Sequence, residues 1–283
     1  MKKKMIVVAI DFSDCSINAF EHALSIAKRS GSDLKMIWVN KASQEHSVAL
    51  KEPEEAIRDA QQTFEEMIRQ YQPQLPGSTL SYAIRDGRVY REIVRFADDE
   101  KAFLIVVGTH GSSGFEEFWI GSNAQKIVSA ASCPVITIRG GVNIKRDLAR
   151  IILPLDSTPE TRQKVATTAL LAKYFKAEII VLPLYSTQVE TVRITIKKYS
   201  EQVAKYLKEN EIHHKVVPLE VEGNITDATI EYALKVDANL ISIMTEQEKT
   251  TKNLWLGAYA QQMVNHSPIP VMSIHSTEYM RSM

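Results

Sequence analysis

The chain has no excess of charge of either sign: its 283 residues carry 34 Lys and Arg against 34 Asp and Glu. A neutral balance leaves no basic footprint for a nucleic-acid backbone or an anionic membrane surface, so neither is expected as a partner. Cysteine is scarce. Cys15 and Cys133 stand apart with no CxxC spacing, which argues against a disulfide framework and a zinc site; both are expected to be small buried apolar residues. Long apolar runs are missing as well. IVVAI (6–10) and FLIVVG (103–108) are far too short to span a bilayer, and the first is too short for the apolar core of a signal peptide. A cytoplasmic location is the expectation. What remains is a composition with 45% hydrophobic and 24% charged residues, ample for a globular core and long enough for two domains.

The chain is written twice. FWIGSNAQKIV (118–128) lies on LWLGAYAQQMV (254–264), matching Trp119 with Trp255, Gly121 with Gly257, Ala124 with Ala260, Gln125 with Gln261 and Val128 with Val264. In the same register LIVVGT (104–109) meets LISIMT (240–245), and Gly87 meets Gly223. A longer offset brings IVVAIDFS (6–13) onto IILPLDST (151–158), with Asp11 on Asp156. The difference between the two offsets places an insertion in the first copy, within KASQEHSVALKEP (41–53).

Each copy alternates short β-branched runs with longer helical patterns, the signature of βαβ units and a parallel sheet. The first copy predicts strands at about 5–10, 34–39, 79–84, 103–108 and 134–139, with helices at about 14–30, 53–72, 88–100 and 122–132. The second predicts strands near 150–155, 179–184, 214–219, 239–244 and 270–275. Ser13 or Asp14 is positioned to cap the first helix, with Ala19, Ala23, Ile26 and Ala27 as its buried stripe; in the second copy Pro159 opens the corresponding helix, backed by Val165, Ala169 and Ala172. The expected domains are residues 1–140 and 150–283, joined by a linker over 141–149 with a glycine and mixed charge. The fold class is α/β, as two tandem doubly wound sandwiches.

The stretch GTHGSSGFEEFWIGSNAQK (108–126) is where chemistry is expected, because ligands of open parallel sheets bind beyond the carboxyl ends of the strands. Gly108 and Gly111 can take φ > 0 and expose backbone amides to a phosphate. Gly121 then leads into Ser122-Asn123-Ala124-Gln125, read as a capping box that opens a helix whose free amides and positive dipole end favour an anion. The plainer reading is a turn and a cap, nothing more. Asp11 has a plain reading too, as an acceptor for the turn into the first helix. Trp119 and Trp255 read as core or interface residues, and His213-His214 share no spacing with a carboxylate or cysteine that would suggest a metal.

The spacing Gly108, two residues, Gly111, nine residues, Gly121-Ser122 resembles the nucleotide-binding motif of the universal stress protein family, and AIDFSD, VVGTHG and SCPVITIR extend that resemblance along nearly the whole chain as two tandem domains. The resemblance implies a five-stranded parallel sheet of order 3-2-1-4-5 in each half, with ATP across the strand ends, with or without Mg2+. It implies that Asp11 contacts the nucleoside, that the backbone of Ala9, Ile10 and Val39 meets the base, that Gly108, His110 and Gly111 line the ribose and phosphates, and that Gly121, Ser122 and Asn123 hold the phosphate tail. Two positions depart from the common pattern: Ala9-Ile10 stands before the Asp where a proline is frequent, and Asn123 is polar where a small apolar residue is common.

The second copy keeps the length of the loop without its chemistry, with Met244, Gln247 and Gly257-Ala258 at the corresponding positions. One adenine-nucleotide site per chain is therefore expected, with the second domain a pseudo-dimer partner whose last strand, VMSIH (271–275), pairs with VITIR (135–139). Whether the chain also forms a homodimer, and which proteins it meets, is open. The expected function is stress-response regulation through bound ATP, without a catalytic set. Slow ATP hydrolysis and a nucleotide-free scaffold are the alternatives; the SGGxDS, HxGH and GxxxxGK[ST] loops of ATP-using enzymes are absent from the sequence.

Overall fold

A computed structural model describes residues 3–40, 53–109, 121–139, 147–245 and 256–276. His110, Gly111, Trp119, Gln247, Trp255, the insertion over 41–52 and the larger part of the linker lie outside the described residues. The chain divides into two compact units, Met1–Gly141 and Val142–Met283.

In unit 1, β1 (Met5–Ala9), α1 (Asp14–Ser30), β2 (Asp33–Asn40), α2 (Pro53–Tyr71), β3 (Leu80–Asp86), α3 (Val89–Asp99), β4 (Leu104–Gly108), α4 (Ser122–Ala130) and β5 (Val135–Ile138) follow one another. The strands lie in the order β3-β2-β1-β4-β5 and every pairing is parallel. Parallel neighbours need crossovers, and right-handed crossovers put α1 and α2 on one face and α3 and α4 on the other. Rings mark the first layer: Phe20 of α1 meets Tyr71 of α2 edge to face at 4.9 Å. Covered on both faces, the central strands need no polar alternation, and Ile6, Val7, Val8, Ile105 and Val106 are fully buried. Because β1 sends its chain one way across the sheet and β4 the other, a crevice opens at their carboxyl ends.

Unit 2 repeats the plan with β6 (Arg150–Leu155), α5 (Val165–Phe175), β7 (Glu178–Tyr185), α6 (Glu190–Glu209), β8 (His214–Val216), β9 (Leu219–Glu220), α7 (Ile225–Lys235), β10 (Leu240–Thr245), α8 (Ala258–His266) and β11 (Val271–His275). Its order, β11-β10-β6-β7-β8, is that of unit 1, again all parallel. The single strand expected near 214–219 is two pieces. Pro218 has no N–H to donate, so the ladder to β7 breaks there and resumes with β9.

Two helix starts differ from the sequence reading. Ser13 caps α1 as expected, its side chain accepting from Ser16 N–H. In unit 2, however, Pro159 opens a 3-10 turn, Pro159–Arg162, and the α-helix begins only at Val165. In α4 the N-cap residue is Gly121, and Ser122 is the first helical residue with no capping bond from Gly121's position. The capping-box reading of Ser122 is therefore wrong. Removing a real cap has a measurable cost: Ser13→Ala is expected to lower the stability of unit 1 by about 1 kcal/mol, read as a shift in its urea midpoint.

Candidate functional site

The connection from β1 to α1 is built around Asp11. Its Oδ1 accepts from Ser13 N–H at 3.1 Å and from Ser13 Oγ at 2.6 Å, while Asp11 N–H donates to Ser16 Oγ at 3.3 Å. The same knot recurs in unit 2, where Asp156 Oδ1 accepts from Thr158 N–H at 2.8 Å and Thr158 Oγ1 at 2.5 Å, and Asp156 N–H donates to Thr161 Oγ1 at 3.2 Å. Both units need this turn to leave the first strand, so the aspartate has a structural task in each copy. Sequence reasoning missed Ser13 and Ser16 as the groups that orient Asp11. It also missed Phe12, which takes a left-handed φ of 62° and lays its ring 5.1 Å from Phe64 and 6.5 Å from Trp38. A positive φ at an aromatic residue is uncommon and marks a constrained turn.

On the β2 side, Ile10 N–H donates to Ile37 C=O at 2.9 Å, the last bond of that ladder. Both main-chain groups of a parallel-strand residue point toward the same neighbour, and neighbours alternate along the strand. Val39, two residues beyond Ile37, therefore turns its N–H and C=O toward β1 where β1 has already ended. Its side chain is buried, as are those of Ile10 and Ala9. The backbone is what these three residues offer.

On the β4 side, Gly108 does not use the conformational freedom expected of it, since its φ lies outside the left-handed region. Its reason is closeness. A Cβ there would stand 2.9 Å from Cys15 Sγ and 3.2 Å from the carbonyl carbon and oxygen of Cys15, at the start of α1. Gly121 N–H donates to Thr109 C=O at 2.6 Å, so the described residues on either side of 110–120 are tied together, and a Cβ on Gly121 would meet that same oxygen at 3.0 Å. From there α4 opens with Gln125 N–H bonded to Gly121 C=O. The amides of Ser122, Asn123 and Ala124 precede the first intrahelical bond and, with the exposed Ser122 hydroxyl, face the end of the helix that favours an anion. Ala9, Ile10, Asp11, Val39, Gly108, Gly121, Ser122 and Asn123 are thus all at the carboxyl edge of one sheet, around one switch point.

Unit 2 fills the corresponding positions with larger groups. Met244 stands in β10 at the position that matches Gly108, one residue before the strand ends at Thr245, and it is buried. Lys164 stands where unit 1 has Ala19; only 3% exposed, it donates from Nζ to Thr161 C=O at 2.8 Å and Thr161 Oγ1 at 3.2 Å. Burial pulls its pKa down to about 8, against the nearby Asp156 charge that raises it. Tyr259 replaces Asn123, and burial pushes its hydroxyl's pKa up. Aligning the two copies at Ala19 and Lys164 would have exposed this difference; a lysine interrupting an apolar stripe was the signal.

The two thiols lie at opposite edges of the sheet, Cys15 beside Gly108 at the carboxyl edge and Cys133 before the start of β5. Cys15 is buried and donates to Ile138 C=O at 3.4 Å, whereas Cys133 is only half-buried, contrary to expectation, because it lies in the turn just before β5. Burial nevertheless pushes the Cys133 thiol up to about 12, with the charge of Asp98 adding to it. Among the described residues no three His, Cys, Asp or Glu side chains converge as a metal site, and no described helix is long and apolar enough to cross a membrane.

Comparison with known proteins bears on the family and the fold. A universal stress protein of Methanocaldococcus jannaschii is 32% identical over 148 residues, covering 48% of this chain and 82% of that protein. One from Thermus aquaticus is 32% identical over 139 residues, covering 48% of this chain and 98% of the relative. The crystal structure of a universal stress protein from Archaeoglobus fulgidus superposes with a TM-score of 0.76 over 97% of both chains at 14% identity, a likeness of fold. Residues 3–139 and 148–275 each match the Universal stress protein family, and the chain belongs to that family as two tandem copies of its domain.

Proposed function

We propose that unit 1 binds an adenine nucleotide, ATP foremost, and that the chain is a stress-response regulator whose occupancy is read by protein partners. The observation that carries this reading is the pairing of two unspent stretches of backbone around the β1 and β4 ends: Val39 on one side and the opening amides of α4 on the other. The first suits the edge of a base and the second a phosphate. Asp11 has its carboxylate at the mouth between them, within reach of a ribose. Mg2+ would travel with the phosphates, since no described cluster of side chains would hold it.

Unit 2 is read as the built-in partner of unit 1. Its crevice carries Met244, Lys164 and Tyr259 where the nucleotide of unit 1 would need small residues and open amides. Within its own unit each last strand, β5 or β11, has one neighbour, which leaves an edge suited to antiparallel pairing in a pseudo-dimer. Light scattering on the purified chain would tell a monomer from a homodimer.

Small molecules released from the purified protein and identified by mass spectrometry test the ligand, with about one adenine nucleotide per chain expected. Calorimetric titration with ATP tests the site. Asp11→Ala is expected to weaken binding tenfold or more, about 1.4 kcal/mol, while Asp156→Ala leaves it unchanged. The reverse pattern would place the nucleotide in unit 2, and rapid release of ADP would favour an ATP-hydrolysing enzyme.

A further inference from the structure

The turn that opens α3 carries charges that a helix start disfavours. Arg88 is its N-cap residue and Arg91 stands in its first turn, where the positive end of the dipole favours carboxylates over cations. Lys126 joins them from the second turn of α4. Its Nζ lies 5.4 Å from the centre of the Tyr90 ring, the Arg91 guanidinium lies 5.8 Å from the same ring, and Arg91 Nε donates to Tyr90 Oη at 3.0 Å. That hydrogen bond, with the charges of Arg91, Lys126 and Arg88, draws the Tyr90 pKa down against an opposing desolvation, and no carboxylate counters them. Glu92, the acidic residue of the first turn, lies back over Gly87 instead.

The fold does not require this arrangement, because unit 2 dispenses with it. There the four matching positions are Asn224, Thr226, Asp227 and Gln262. Asn224 caps α7 by accepting from Thr226 N–H at 2.7 Å and Asp227 N–H at 3.3 Å, and both Asn224 Nδ2 and Thr226 Oγ1 donate to Gln262 Oε1, at 3.0 and 3.2 Å. This version is neutral or acidic, closed on itself, and in keeping with the helix dipole. Unit 1 has replaced it with three cations and a phenol, a local departure of the kind that functional sites carry. Among the described residues no carboxylate pairs with any of the three. Their position is specific. Lys126 lies one turn beyond Ser122 on the same face of α4, so the cluster continues outward from the amides that open that helix.

We infer that Arg88, Arg91 and Lys126 form a phosphate-reading subsite that engages the outer phosphates of a nucleotide bound in unit 1 and so selects a triphosphate over a monophosphate. The inference rests on the nucleotide reading of the crevice, and it adds a determinant outside the glycine loop. Arginine suits the task, since its planar fork matches phosphate oxygens in pairs.

The test is calorimetric titration of the full chain with AMP, ATP and inorganic tripolyphosphate. The wild type is compared with the Arg88→Gln, Arg91→Gln, Lys126→Gln triple variant and with a charge-matched control, Lys205→Gln, Lys208→Gln, Lys235→Gln. The wild type and the control are expected to bind ATP at least tenfold tighter than AMP. The triple variant should lose that preference while its AMP affinity stays the same and its circular dichroism stays native. An unchanged ATP-to-AMP ratio in the triple variant, or an equal loss in the control, overturns the subsite. If neither adenine nucleotide binds, the reading of the crevice fails and the subsite is judged on tripolyphosphate alone. Loss of its binding in the triple variant only upholds the subsite; equal binding by all three proteins, or binding by none, overturns it.

Discussion

Gly108→Val is expected to abolish nucleotide binding by unit 1 and to lower that unit's stability by about 1 to 3 kcal/mol, the usual cost of forcing extra atoms into a packed site. Its first carbon would come within 2.9 Å of Cys15 Sγ and 3.2 Å of the Cys15 carbonyl. The thiol can turn aside, but the backbone cannot. Relief requires α1 to retreat from β4, and the first turn of α1 is the turn that Ser13 caps and Asp11 organises. A side chain at the end of β4 therefore disturbs the far side of the crevice as well as its floor. Unit 2 carries a side chain at the matching place: Met244 stands one residue before the end of its strand, and the α-helix that follows the first strand begins only at Val165, after a 3-10 turn. Adding Cys15→Ala to Gly108→Ala removes the sulfur contact and leaves the carbonyl contact, so only partial rescue is expected. Urea unfolding and ATP titration would read both effects, and a Gly108→Val chain that is as stable and binds as well as wild type would refute the coupling.

The architecture was legible because each buried parallel strand is a continuous β-branched run, and the repeat supplied every run twice. IVVAI and LIVVG could be nothing else at that length between helical patterns. The helix starts were less legible. Ser122 looks like a cap because serine usually is one when glutamine follows three residues later, yet the bond from Gly121 to Thr109 sets the entry angle and makes glycine the cap residue. Gly108 was visible as a glycine that matters, but the cause is tertiary: the atom it makes room for is 93 residues earlier in the chain. The cationic cluster was hidden for a similar reason. Arg88, Arg91 and Lys126 are ordinary surface residues in sequence, and only the packing of α3 beside α4 brings the third charge to the first two.

Lys164→Met is expected to flatten the alkaline rise in the stability of unit 2. Lys164 is buried, and its pKa in the folded chain is about 8 against an ordinary value of 10.5. Between those two values the unfolded chain binds more protons than the folded one, so stability increases with pH across that window. Below pH 8 lysine is charged in both states, and the folded state carries the full desolvation cost, about 3 kcal/mol from the difference between the two pKa values. Above 10.5 it is neutral in both and the cost is gone. Methionine has a similar length and no charge, so it removes the cost at every pH. It also withdraws the ammonium from Thr161 C=O, a loss of about 1 kcal/mol for an acceptor left without its donor, while Asp156 keeps its bonds to Thr158. The variant should therefore be more stable than wild type at pH 7 by roughly 2 kcal/mol and lose that advantage by pH 10.5. Urea unfolding of the two proteins at matched pH cancels the titration of tyrosines and thiols common to both. A difference that stays constant from pH 7 to 10.5 would mean that Lys164 is neutral or well solvated, and that Met244 and Tyr259 alone close the crevice of unit 2.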